Sequence, residues 1–339
     1  MTATRASRLT PDIDLEADGK ATGFVRIPHS VHRSAYGWLP LPIARIANGA
    51  GPRVLLTAGN HGDEWEGQVA LGKLIRALEP ANVRGRLLIL PSLNFPAAMA
   101  GTRTSPIDDG NLNRSFPGDP DGTTTRQIAH FVEHALMPRV DFHFDLHSGG
   151  SSLVYVPSTL CRLEADPARR AAQIERMRVF GAPIAYVSAS PGGDDRTATA
   201  AALRQGVAHM STELGGAGAV TPSALRIAEE GLLRLLAHIG AIHGLDIPPP
   251  PATPTRLMEV VGPDYYVYAP DGGVFEPLVE LGDEVVAGQP AARVHFHDTP
   301  WRAPTEAVFA RAGTVICKRQ PGRTERGDCL FHLATPFAG

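Results

Sequence analysis

LLTAGNHGDEWEG, residues 55–67, is the stretch from which the rest of the chain is read. An apolar run, Val54 to Leu56, gives way through Ala58 and Gly59 to a polar cluster. Glu66 and Gly67 then lead into helical spacing. The pattern predicts a buried strand, a loop and a helix, with His61 and Glu64 in His-x-x-Glu order at the strand's carboxyl end. An imidazole and a carboxylate so placed can reach one metal ion. The motif alone arises often by chance. Its weight comes from two later segments, His147 in DFHFDLHSGG and Glu213 in STELGG.

Outward from this stretch, Arg53 to Ala58 is the first strongly apolar strand. Val69, Leu71, Leu74, Ile75 and Leu78 then recur at helical spacing and stop before Pro80. Arg86 to Leu93 is a second continuous apolar run. Strand, helix, strand in this rhythm predicts an α/β sheet covered by helices on both faces. Residues 1 to about 50 read as short strands and turns. Residues 94–121 have no periodicity and are rich in Gly, Pro, Asn and Asp; a loop this long inside a compact domain is usually functional or disordered. It carries Arg103, Asn113 and Arg114, and we read it as functional. A helix is expected from Thr124 to Met137.

In the next strand, Arg139 to Leu146, alternation puts Asp141, His143, Asp145 and His147 on one side and Phe142, Phe144 and Leu146 on the other. Either it is an edge strand with a wet side, or it ends in a polar site. The Ser148-Gly149-Gly150 turn supports the second reading, since glycine lets backbone approach a ligand closely. Strands are expected at 152–157, 184–187 and 207–214, the last bearing Glu213. Helices are expected at 166–180, 197–205 and 222–242. Composition shifts at Asp246, where IPPPPATPTR forms an extended proline linker. The expected division is therefore a catalytic domain over 1–246 and a smaller C-terminal β domain over 255–339.

Bulk properties exclude several classes. A chain of 339 residues with 43% hydrophobic and 20% charged residues is ordinary for a globular protein. A net charge of -3 leaves no basic footprint for nucleic acid or an anionic membrane. No apolar stretch approaches the roughly 20 residues of a membrane span, and the N-terminus lacks a signal peptide's apolar core. Three scattered cysteines imply no disulfide framework. A cytoplasmic protein is the expectation.

Zinc in a hydrolase usually has three protein ligands and one open position. His61, Glu64 and His147 supply that number and type, so one zinc per chain is expected. Zinc acidifies water to a pKa of about 7 and polarises the scissile carbonyl. A separate carboxylate must then take the water's proton and pass it to the leaving amine, and Glu213 fits that role. Singly, each of these residues is more often structural; four together at strand ends are not.

GNHGDEWEG, NLNRSFPGD, DLHSGG and ELGG, in this order, resemble the signature of the succinylglutamate desuccinylase/aspartoacylase family, which is related to the zinc carboxypeptidases. The resemblance covers most of the chain. It implies a zinc-carboxypeptidase-like mixed sheet flanked by helices, zinc on His61, Glu64 and His147, and Glu213 as base and acid. It also implies that Asn113 and Arg114 hold the substrate's carboxylate and that Arg103 polarises the acyl carbonyl. Within the family, RTSPIDDGNLNRSFPGDPDGT, ELGGAG and FEPLVELGDEVVAGQP look most like the branch that deacetylates N-alpha-acetyl-L-2,4-diaminobutyrate in bacterial ectoine breakdown. That substrate's ammonium needs an acidic partner, for which Asp194 and Asp195 are candidates. Arg204 is a candidate for the further arginine some members place before the catalytic glutamate. The segment FEPLVELGDEVVAGQP also resembles a biotinyl/lipoyl barrel sandwich without its modifiable lysine, which leaves a lid, an oligomer contact or a structural cap as its role. The competing readings are a deacylase of another N-acyl amino acid (N-acetylaspartate or N-succinylglutamate type), a zinc carboxypeptidase, or a non-catalytic binding protein.

Overall fold

The computed structural model describes residues 5–188 and 194–338. A long antiparallel hairpin, β1 (Gly19–Pro28) and β2 (Trp38–Asn48), leads into β3 (Arg53–Ala58), α1 (Trp65–Ala77) and β4 (Gly85–Leu90). Then come α2 (Thr124–Phe131), β5 (Phe142–His147), β6 (Ser158–Cys161), α3 (Pro167–Phe180) and β7 (Ile184–Ser188). The short α4 (Ala198–Arg204), β8 (Ala208–Glu213) and α5 (Pro222–His238) follow. After the prolines come β9 (Arg256–Val260), β10 (Gly313–Arg319) and β11 (Cys329–Pro336), with shorter strands between them.

The central sheet runs β1-β2-β4-β3-β5-β8-β6-β7-β9-β11-β10. Strands β4, β3, β5 and β8 are mutually parallel, so their carboxyl ends share one edge of the sheet. The chain leaves β3 through α1 to β4 on one side, while β5 lies on the other side of β3. That reversal opens a crevice at the strand ends, where α/β sheets bind ligands. Helices cover both faces. Leu71, Leu74, Met177, Phe180, Leu232 and Leu235, from α1, α3 and α5, pack on the face carrying Val54, Leu56 and Phe144. Ile128, Phe131 and Ala201, from α2 and α4, pack on the face carrying Leu55 and Leu88.

Strand β5 is central, with His143 and Asp145 fully buried, so the wet-edge alternative does not hold. Its polar face is paid for by hydrogen bonds within the sheet, as buried polar groups require. The segment after Asn94 is less irregular than its composition predicts. Phe95–Ala100 is a short helix, with Pro96 in its first turn and Gly101 closing it in the left-handed region. Residues 189–193, just ahead of the candidates Asp194 and Asp195, lie outside the described residues. Strand β9, just past the prolines, pairs in parallel with β7, and the short strand Leu153–Tyr155 pairs with β10. No helix among the described residues is long and apolar enough to cross a membrane.

Candidate metal centre and active site

His147 is the last residue of β5 and Glu213 the last of β8, and the two are register partners. Parallel pairing therefore sets them side by side. His61 and Glu64 lie in the loop between β3 and α1, where Glu64 occupies the helix N-cap. An N-cap side chain ordinarily bonds its own helix; this one does not. Its two oxygens turn instead to His61 Nδ1 at 2.6 Å and His147 Nδ1 at 2.7 Å. The Ser148 backbone N–H donates to the same carboxylate at 3.2 Å.

The outer ring nitrogens are also held. His147 Nε2 lies 2.9 Å from Asp145 Oδ2, and His61 Nε2 lies 3.2 Å from Asn111 Oδ1. Both oxygens can only accept, so each Nε2 donates and each Nδ1 is turned to the centre. Asn60 Nδ2 donates to Asp145 as well, at 3.1 Å. The three buried ligands bring donor atoms within 4.8 Å of one another. Two imidazole nitrogens facing one carboxylate each need a proton there, or one divalent cation in place of both. Two nitrogens and a carboxylate with orienting partners behind them are a donor set that fits zinc. The electrostatics agree. Burial works to raise Glu64, yet His61 and His147 pull its pKa far below the carboxylate range. Burial works to lower His147, yet Asp145 and Glu64 hold it well above its ordinary value.

A cavity of about 380 Å³ opens over these residues and includes Arg103, Asn113, Arg114 and Glu213 in its wall. The three expected ligands, Glu213, Arg103, Asn113 and Arg114 thus meet at one place. Glu213 Oε2 is buried without a hydrogen-bond partner among the described residues. Burial, reinforced by the Glu64 charge, pushes its pKa well above the ordinary range. Arg103 Nη1 approaches Glu64 Oε1 at 3.5 Å, against the ligand cluster. Asn113 Oδ1 accepts the Ala198 N–H at 2.9 Å, which orients the amide with its NH2 as the donor end. Arg114 donates from Nη1 to the Asn113 carbonyl at 2.6 Å and forms an ion pair with Asp194, its Nε 3.2 Å from Oδ2.

Of the two acidic candidates for an ammonium, Asp194 does not present an unpaired charge. Asp194 accepts from Arg196 Nε and Nη2, both at 2.8 Å, besides its ion pair with Arg114. Those bonds from Arg196 hold its pKa down at about 2. The Asp195 carbonyl accepts from Arg204. Arg204 itself pairs with Glu133 and does not line the cavity, whereas Arg162, just past β6, and Tyr155 do. Neither was foreseen, because a single Arg or Tyr after a short strand carries no spacing signal. Asn111 and Asp145 were visible inside NLNR and DLH, but only geometry reveals that they bond the outer nitrogens of His61 and His147. Gly149 is required by the turn rather than by a ligand: a Cβ there would sit 2.2 Å from the Leu153 carbonyl oxygen.

A mixed sheet with a His-Glu-His triangle and a buried carboxylate at its switch point defines a zinc-carboxypeptidase-like α/β architecture. Residues 50–239 match the model of the succinylglutamate desuccinylase/aspartoacylase catalytic domain. The chain belongs to that family. It is 40% identical, over 97% of its length and 96% of the relative's, to the N-alpha-acetyl-L-2,4-diaminobutyric acid deacetylase of Halomonas elongata. Among solved structures it resembles a succinylglutamate desuccinylase/aspartoacylase from Rhodobacter sphaeroides, with TM-score 0.92, 40% identity and coverage of 98% and 100% of the two chains. The product-bound ectoine utilization protein EutE of Ruegeria pomeroyi is similar at TM-score 0.92 and 39% identity, again over 98% and 100%.

Proposed function

We propose that this protein is a zinc-dependent deacetylase that hydrolyses N-alpha-acetyl-L-2,4-diaminobutyrate to acetate and L-2,4-diaminobutyrate, a step of ectoine degradation. The full-length identity to the Halomonas elongata deacetylase carries the choice of substrate. The convergence of His61, Glu64, His147 and Glu213 on one cavity supports the chemistry. His61, Glu64 and His147 would hold one zinc ion. When bound, zinc supplies Lewis acidity, bringing water to a pKa of about 7 and polarising a carbonyl.

The chain's own residues do the rest. Glu213 takes a proton from the attacking water and returns it to the leaving nitrogen, so its raised pKa suits both halves of the cycle. The Arg103 guanidinium faces the acyl oxygen as negative charge develops on it. Arg114 and the Asn113 NH2 bind the substrate's α-carboxylate, with Asp194 fixing the guanidinium plane. We assign the catalytic work to residues 1–246 and a supporting role to the β part over 255–339. Acetate release from N-alpha-acetyl-L-2,4-diaminobutyrate, compared with N-acetylaspartate, N-succinylglutamate and short peptides, tests the reading. Preference for any of the last three reassigns the substrate and leaves the metal chemistry standing.

A further inference from the structure

Beneath the metal centre the sheet carries a second set of buried polar side chains that the chemistry above does not use. Register aligns Thr57 beside Asp145, and Asp145 beside Ser211. Two residues earlier it aligns His143 with His209. Thr57, His143 and His209 are all buried.

Their hydrogen bonds have one consistent direction. Thr57 Oγ1 donates to Asp145 Oδ1 at 2.7 Å. Its single hydrogen is then spent, so it must accept from His143 Nε2, 2.8 Å away. In a neutral ring this leaves His143 Nδ1 as an acceptor, facing His209 Nδ1 at 3.2 Å. Two bare nitrogens, or two N–H groups, cannot share that contact, so His209 carries its hydrogen on Nδ1. His209 Nε2 then accepts, with the Ser211 hydroxyl at 2.9 Å and the Thr199 hydroxyl at 3.1 Å. Both hydroxyl residues line the cavity. Burial drives His143 down to about 4 and His209 to about 3, in keeping with neutral rings.

We propose that Thr57, His143 and His209 are positioning residues: a one-way line of hydrogen bonds running from the cavity hydroxyls to Asp145, which fixes the His147 ring and keeps its Nδ1 turned to the metal. The line rests on the zinc reading above. With both rings neutral it follows from polarity, because each member then has one arrangement in which every neighbour is satisfied. A buried network with all its members paired is rigid, and outer partners of this kind typically hold 10–100-fold in metal affinity.

The test is zinc affinity, measured by competition with a chromophoric chelator on the intact protein. Thr57→Val keeps the shape and removes the hydroxyl; it is expected to bind zinc about 10–100-fold more weakly, while Thr57→Ser returns to within roughly threefold of wild type. A Thr57→Val protein that melts earlier yet holds zinc as tightly as wild type overturns the proposal, since the line would then be structural only. Nitrogen-15 shifts of the histidines in zinc-loaded wild type give a second reading that needs no variant. Protonation of His143 on Nε2 and His209 on Nδ1 is expected; the same nitrogen protonated in both, or an imidazolium in either, overturns the line. Wild type that takes up no zinc removes the metal reading and the line's role together, an outcome distinct from an unaffected Thr57→Val.

Discussion

Glu213 has one oxygen buried with no hydrogen-bond partner among the described residues and a pKa lifted by burial and by the Glu64 charge. Such a carboxylate costs free energy in the resting fold, and a proton-transfer role accounts for it. Glu213→Gln keeps the shape and loses the proton site; we expect retained zinc and substrate binding with turnover down roughly 10²–10⁴. Single-turnover kinetics alongside metal analysis would check this, and near-normal turnover would place the base elsewhere. Arg114 is already steered by Asp194 and the Asn113 carbonyl. A guanidinium held in one plane suits a bidentate carboxylate, which lysine cannot reproduce. Arg114→Lys should raise KM sharply at normal metal content. Converting the substrate's carboxylate to an amide should hurt wild type and hurt the variant little further. Equal discrimination of acid from amide by both proteins would hand the carboxylate to another residue, with Arg103 and Arg162 next in line.

Between elements, spacing decides where the ligands stand. Helix α1 meets β3 and β5 at Gly67, where an added Cβ would lie 2.6 Å from Leu146 Cβ and 3.0 Å from Ala58 Cβ. Those neighbours cannot swing aside, so Gly67→Ala should push α1 and Glu64 away from His147. Loss of about 1–3 kcal/mol of stability is expected from overpacking, with weaker zinc binding alongside it. Urea unfolding and metal titration would measure the two, and unchanged zinc affinity would show that the loop adjusts independently of the helix. The long loop is anchored differently. Asp108 accepts from the Thr125 N–H at 2.7 Å and its hydroxyl at 2.8 Å, at the start of α2. Burial works to raise the Asp108 pKa, but bonds led by the Thr125 N–H outweigh it and leave it below the ordinary value. A depressed pKa means stability that is present above the unfolded value and lost as pH falls through the folded one. Asp108→Ala should cost about 1 kcal/mol, as lost caps do, and raise KM through Arg103 and Arg114 with metal content unchanged. The deficit should shrink below the folded pKa; a deficit independent of pH would show that the charge does not hold the loop.

At the scale of the molecule, the sequence disclosed the sheet, its helices and the four residues, His61, Glu64, His147 and Glu213, that meet at the cavity, because apolar periodicity and short motifs are local signals. It did not disclose how strands order laterally, so β5 read equally as an edge or a centre. Nor did it disclose Asn111, Thr57 or Arg162, whose partners are distant in the chain and whose residue types are common. The β part after the prolines was legible as a separate composition, yet β9 completes the edge of β7 and β10 pairs with Leu153–Tyr155, beside the cavity. A chain ending at residue 246 would bare both edges, and unpaired edges invite aggregation. It is expected to be insoluble or inactive, and a soluble, fully active 1–246 chain would limit the β part to a dispensable appendage. The central claim is zinc-dependent deacetylation at one cavity, and its most direct measurement is acetate release from N-alpha-acetyl-L-2,4-diaminobutyrate during zinc titration of metal-stripped protein. The account predicts no release without metal and full activity at about one zinc per chain, the number three ligands hold in an open site, with neither restored in His61→Ala or His147→Ala. Full activity in the stripped protein, or none after zinc is bound, would contradict it.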